Sequence, residues 1–60
     1  MKEKIAQAIE LLHAAKTLLN DAGDEVWRKK APHAEEILLD IASSLNTIDD
    51  VIEELEELFK

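Results

Sequence analysis

Glu10 and His13 stand one helical turn apart in the run Glu10-Leu11-Leu12-His13. A carboxylate and an imidazole at this offset are what di-iron and di-manganese helical bundles use to place two ligands on one metal. If the chain folds back near residue 31, these positions come roughly opposite Asp49 and Glu53, and a second copy doubles the set. The facing argues against the site. The apolar stripe through Ile5, Leu12 and Leu19 leaves Glu10 and His13 on the outer face, whereas metal ligands need to point inward and be held by further hydrogen bonds. No metal or other cofactor is expected.

The remaining chemistry-bearing residues read in the same direction. His33 follows Pro32 in a connection and reads as a solvated histidine. Ser43 and Ser44 have neither a histidine on the same face nor a glycine-rich elbow to activate a hydroxyl. Gly23 is the only glycine, so no phosphate-cradling loop exists. Trp27 with Arg28, Lys29 and Lys30 can touch phosphate, stack on a base or anchor a partner. The simpler reading sets the bases at the negative end of a helix, with Trp27 closing the end of the core. Asp49, Asp50, Glu53, Glu54, Glu56 and Glu57 make a carboxylate array that could occupy a basic protein as a nucleic-acid mimic, or simply form a solvated helix face. No enzymatic activity is expected from any of these.

The elements that would position these groups are helices. Glu, Leu, Ala, Ile and Lys dominate the 60 residues, beside one glycine, one proline and no cysteine. A chain this short is a single domain that buries only about 60% of the surface of its unfolded form. Without disulfides, association with another chain is the natural route to stability. No apolar run reaches the length of about 20 residues that a membrane span needs. The charged start Met1-Lys2-Glu3-Lys4 does not read as a signal peptide, so a cytoplasmic protein is expected.

Heptad spacing organises both halves. Leu38, Ile41, Leu45, Ile48, Ile52, Leu55 and Phe59 follow alternating steps of three and four residues, a seam flanked by Ile37, Val51 and Leu58 on one side and Ala42 on the other. In the first half Ile5, Leu12, Leu19 and Val26 recur every seven residues, with Ala8, Ala15 and Ala22 between them. Ile9, Leu11 and Leu18 widen that stripe. Alanine at alternate seam positions lets helix backbones approach closely, toward the short end of the range of about 8–10 Å between packed helix axes.

Pro32 disfavours helical geometry at Ala31 and suits the first turn of a new helix, with Glu35 and Glu36 near its positive end. The chain is therefore expected to form an all-α antiparallel hairpin of helices at about 2–30 and 33–59, each roughly 40 Å long. A break at Gly23 with Asp24 as cap, making a three-helix bundle, is the alternative; the seam keeps phase through Leu19, Ala22 and Val26 and favours continuity. Thr47 with Asp50 resembles a capping box, yet the seam keeps phase there too.

The charge is uneven. Residues 1–32 carry six bases and five acids, whereas residues 33–60 carry nine acids against Lys60, for a total of −7. This disfavours nucleic acid as a partner of the second half, because phosphate contacts need Lys and Arg. It also favours lining the halves up against each other. Each helix has more apolar width than one neighbour can cover. Two hairpins pairing with twofold symmetry into a four-helix bundle would bury the remainder, with the seam residues Ile5, Ala8, Leu12, Ala15, Leu19, Ala22, Val26, Leu38, Ile41, Leu45, Ile48, Ile52, Leu55 and Phe59 as the expected oligomer interface. The expected function is a non-enzymatic oligomerisation or protein-interaction module, with an acidic inhibitor or adaptor acting through residues 49–57 and a di-metal protein using Glu10 and His13 as alternatives. The regular run Glu53-Glu54-Leu55-Glu56-Glu57-Leu58 suits a designed chain and the irregular stretches 20–33 and 43–50 a natural one.

Overall fold

The structure, a computed structural model, describes residues 2–59. Helix α1 spans Lys2–Arg28 and helix α2 spans Ala34–Glu57; they pack antiparallel as a hairpin measuring 43 × 15 × 13 Å. Both helices are continuous. Gly23 lies within α1 with no positive φ, so the three-helix alternative does not form. Thr47 does not cap a helix either: its hydroxyl donates to the Ser43 carbonyl at 3.2 Å, one turn back within α2.

The connection is longer than expected, running over residues 29–33 because α1 ends at Arg28 and α2 begins at Ala34, and it is costly. Lys30 adopts a left-handed backbone (φ 51), and the amide of Ala31 donates to the Val26 carbonyl at 3.4 Å while that of Lys30 donates to Trp27 at 3.2 Å. This is a Schellman closure with lysine where glycine is preferred. Ala34 then donates to the Ala31 carbonyl at 3.1 Å, closing a turn around Pro32 and His33. His33 is also left-handed (φ 60, ψ 27) and is the N-cap of α2, without a side-chain capping bond. Pro32 thus precedes α2 and does not occupy its first turn, because the reversal needs the positive φ of His33 before the helix begins.

The hairpin closes along one seam. Ile5, Ala8, Leu12, Ala15, Leu19 and Val26 of α1 are half-buried, as are Leu38, Ile41, Leu45, Ile48 and Leu55 of α2. Among the described residues only Gly23 and Ile52 are fully buried. Two members of the expected seam stand elsewhere. Ala22 is exposed and Gly23 takes its place, because the helical period of about 3.6 residues slips against a heptad's 3.5 over successive turns. A β-carbon on Gly23 would lie 3.5 Å from Leu38 Cδ2 and 3.9 Å from Ile41 Cδ1, so the two helices meet closely here. Phe59 lies beyond Glu57, the last helical residue, and is exposed.

Candidate association surface

The side on which each leftover apolar residue lies follows from one ion pair. Lys16 of α1 and Asp49 of α2 join across the hairpin. On a helical wheel Lys16 occupies one shoulder of the α1 seam, together with Asn20 and Trp27, and Leu11 and Leu18 occupy the other. Asp49 occupies one shoulder of the α2 seam with Ala42, and Ile37, Ser44, Val51 and Leu58 occupy the other. A groove lined by Asn20, Gly23, Trp27, Leu38 and Ala42 confirms that the first pair of shoulders shares one side. The opposite side therefore brings together Leu11, Leu18, Ile37, Val51 and Leu58.

These five are the residues whose width exceeded one partner's reach in the sequence, and they stay uncovered. Leu11 is 71% exposed, Leu18 68% and Leu58 60%, with Ile37 and Val51 at the half-buried margin. The spacing on this side is again heptad. Ile37, Ile41, Ser44, Ile48, Val51, Leu55 and Leu58 form a second regular seam on α2, and Ala8, Leu11, Ala15, Leu18 and Ala22 form one on α1. Both second seams share residues with the closed one: Ala8 and Ala15 on α1, and Ile41, Ile48 and Leu55 on α2.

The elongated shape, 43 × 15 × 13 Å, leaves a large surface for the mass. The chain exposes 4986 Å², against about 4,000 Å² for a compact monomer of this mass. The surplus, roughly 1,000 Å², is spread over all sides of the hairpin and leaves room for a standard interface of ~800 Å² per partner.

The other candidate groups are less organised. Glu10 and His13 are exposed, Asp49 is turned to Lys16, and among the described residues no three His, Asp or Glu side chains converge on a metal-sized point. Trp27 does not close the end of the core: it is 64% exposed, because α1 turns it onto the Lys16 side of the hairpin. At the tip it lines a concavity with Lys30, His33, Glu35 and Glu36. The His33 Nδ1 lies 3.7 Å from Glu36 Oε2, and both side chains are largely solvated. Arg28 Nε donates to the Asp24 carbonyl at 3.4 Å, tying one of the three tip bases to the helix end. The tip thus mixes both charge signs and presents no uniform phosphate surface.

On the outer face of α2, Asp50, Glu53, Glu54 and Glu57 line a shallow, solvated strip. Among the described residues no helix is long and apolar enough to cross a membrane.

Sequence reasoning missed Gly23 as a seam member, the Lys16–Asp49 pair and the exposed Leu39. The first two carried a signal: each lies one residue from a heptad position, where helical drift reaches it. A lone exposed leucine is ordinary. Comparisons with protein-family models, curated proteins and solved structures returned no match, so the hairpin's fold and surface rest on its own residues.

Proposed function

We propose that this chain is a non-enzymatic self-association module of the cytoplasm, in which two hairpins pair through the side carrying Leu11, Leu18, Ile37, Val51 and Leu58 to make a twofold four-helix bundle. The observation that carries this reading is that side itself: an apolar strip along both helices, interrupted on α2 by Ser44, with Leu11, Leu18 and Leu58 left exposed. A hairpin with so little fully buried side chain gains its stability by covering that strip.

Light scattering over a concentration series tests the proposal. The expected molar mass is twice the 6.8 kDa of the chain, with a melting temperature that rises with concentration. Replacing Leu11 and Leu18 together by Gln is expected to return the mass to that of one chain. A monomer with a concentration-independent melt overturns the reading.

The strip of Asp50, Glu53, Glu54 and Glu57 favours a second reading, an acidic adaptor for a basic protein. It predicts salt-sensitive capture that disappears when these four become Gln or Ser, and unchanged capture by that variant rejects it.

A further inference from the structure

The open stripe of α1 ends in a base and an acid, where the closed one ends in the apolar Ile5 and Val26. Read along the helix it is Lys4, Ala8, Leu11, Ala15, Leu18, Ala22, Glu25, in steps of four and three. Reversed about Ala15, the apolar residues repeat themselves and the two ends exchange a base for an acid. We infer that the second copy lies antiparallel along α1, with the twofold axis passing beside Ala15, so that Lys4 and Leu11 of each chain meet Glu25 and Leu18 of the other. This rests on the self-association proposed above and specifies its geometry.

The chain supplies three supports. Lys4, Leu11, Leu18, Ala22 and Glu25 are all exposed, so every member outside the shared alanines is available to a partner. Lys4 and Glu25 stand roughly 30 Å apart along one helix, so they can meet only between copies. On the outer shoulder of the same stripe, the reversal brings the Gln7 amide to the Asp21 carboxylate, which it can donate to, and sets Ala14 against itself where the axes approach most closely. A parallel arrangement does the opposite: it stacks Lys4 on Lys4, Asp21 on Asp21 and Glu25 on Glu25, each a like-charge contact.

The axis has a consequence for α2. Because Lys16 and Asp49 sit level across the hairpin, an axis beside Ala15 crosses α2 near Ile48 and Val51 and packs α2 against its own copy. The two connections then lie at opposite ends of the bundle.

The chain has no cysteine, so single-cysteine variants report this geometry without interference. Ala15→Cys in the full chain is expected to oxidise to a disulfide-linked dimer, because positions on the axis fall within the Cα separation of about 4.4–6.8 Å that a disulfide needs. Thr17→Cys, on the far side of α1, is expected to stay uncrosslinked.

A charge exchange provides the independent check. Lys4→Glu alone and Glu25→Lys alone are each expected to weaken dimerisation about tenfold, and the double variant to restore it. Each single change places a favoured charge at its end of α1, an acid near the start and a base near the end. Loss of dimer in these variants therefore cannot come from a weaker helix.

Crosslinking at position 15 with rescue by the double exchange supports the inference. A species of dimer mass in which Ala15→Cys does not crosslink and the exchange does not rescue overturns it while leaving self-association standing; pairing of α1 with α2 of the second copy would behave this way. A monomer at every concentration removes both.

Discussion

Val51 and Ile52 are neighbours in the chain and opposites in the fold: Ile52 is 5% exposed and Val51 36%. The same division runs through Leu11 and Leu12, Leu18 and Leu19, and Ile37 and Leu38, where the first residue faces out and the second faces the other helix. Each doublet supplies two seams, and a single hairpin closes only one of them. The lesson is that doubled apolar positions at heptad spacing encode a second layer of packing, whereas a single apolar position per turn would be satisfied by the hairpin alone. The positions shared by both seams differ between the helices. α1 places alanine there and α2 places Ile41, Ile48 and Leu55, so bulk comes from α2 and close approach from α1.

Truncating the two members of one doublet separately tests whether the two seams are distinct. Ile52→Ala is expected to cost about 3 kcal/mol, because it removes the most buried side chain and leaves a cavity between the helices. Urea unfolding followed by circular dichroism measures it. Val51→Ala should cost the isolated hairpin under about 1 kcal/mol and act instead on dimer dissociation. Equal costs in a dilute monomer would mean that the two seams are not distinct.

The connection contains two non-glycine residues with a left-handed backbone, Lys30 and His33. Lys30→Gly with His33→Gly relieves two left-handed positions and is expected to raise stability by about 2 kcal/mol, seen as an increase in melting temperature at constant concentration. A decrease would show that side-chain contacts at the tip outweigh the backbone cost.

A second neighbour pair, Ala22 and Gly23, sharpens the contrast further. Gly23→Ala adds a methyl at ordinary contact distance from Leu38 and Ile41 and removes a flexible helical residue, so a gain of about 1 kcal/mol is expected. In a dilute monomer Ala22→Gly should lose about the same through helix propensity. A loss for Gly23→Ala in chemical denaturation would mean that the helices approach too closely there to accept a methyl.

The smallest effect is on the polar side. Lys16→Gln breaks the pair with Asp49, and since both side chains are partly solvated the cost should stay below about 0.5 kcal/mol, shrinking with added salt. A larger, salt-independent loss would give this pair a part in fixing the register.

Much of the fold was legible in the residues. The stripes through Ile5–Val26 and Leu38–Leu55, the base-rich end of α1 and Pro32 placed two helices and their break within a few residues of Lys2–Arg28 and Ala34–Glu57. The exposure of Leu11, Leu18, Ile37, Val51 and Leu58 followed from stripe width, since one helix cannot cover more than one neighbour's contact face. These are local, periodic properties of the chain, and a period can be read without coordinates.

The relation between the helices came from the fold. It put Gly23 and not Ala22 between the helices, joined Lys16 to Asp49, turned Trp27 outward, and gathered the leftover residues of both helices on one side. Each of these depends on the rotation of one helix about its axis relative to the other. That angle is settled by packing between residues far apart in the chain, where the slip between a period of about 3.6 and one of 3.5 accumulates.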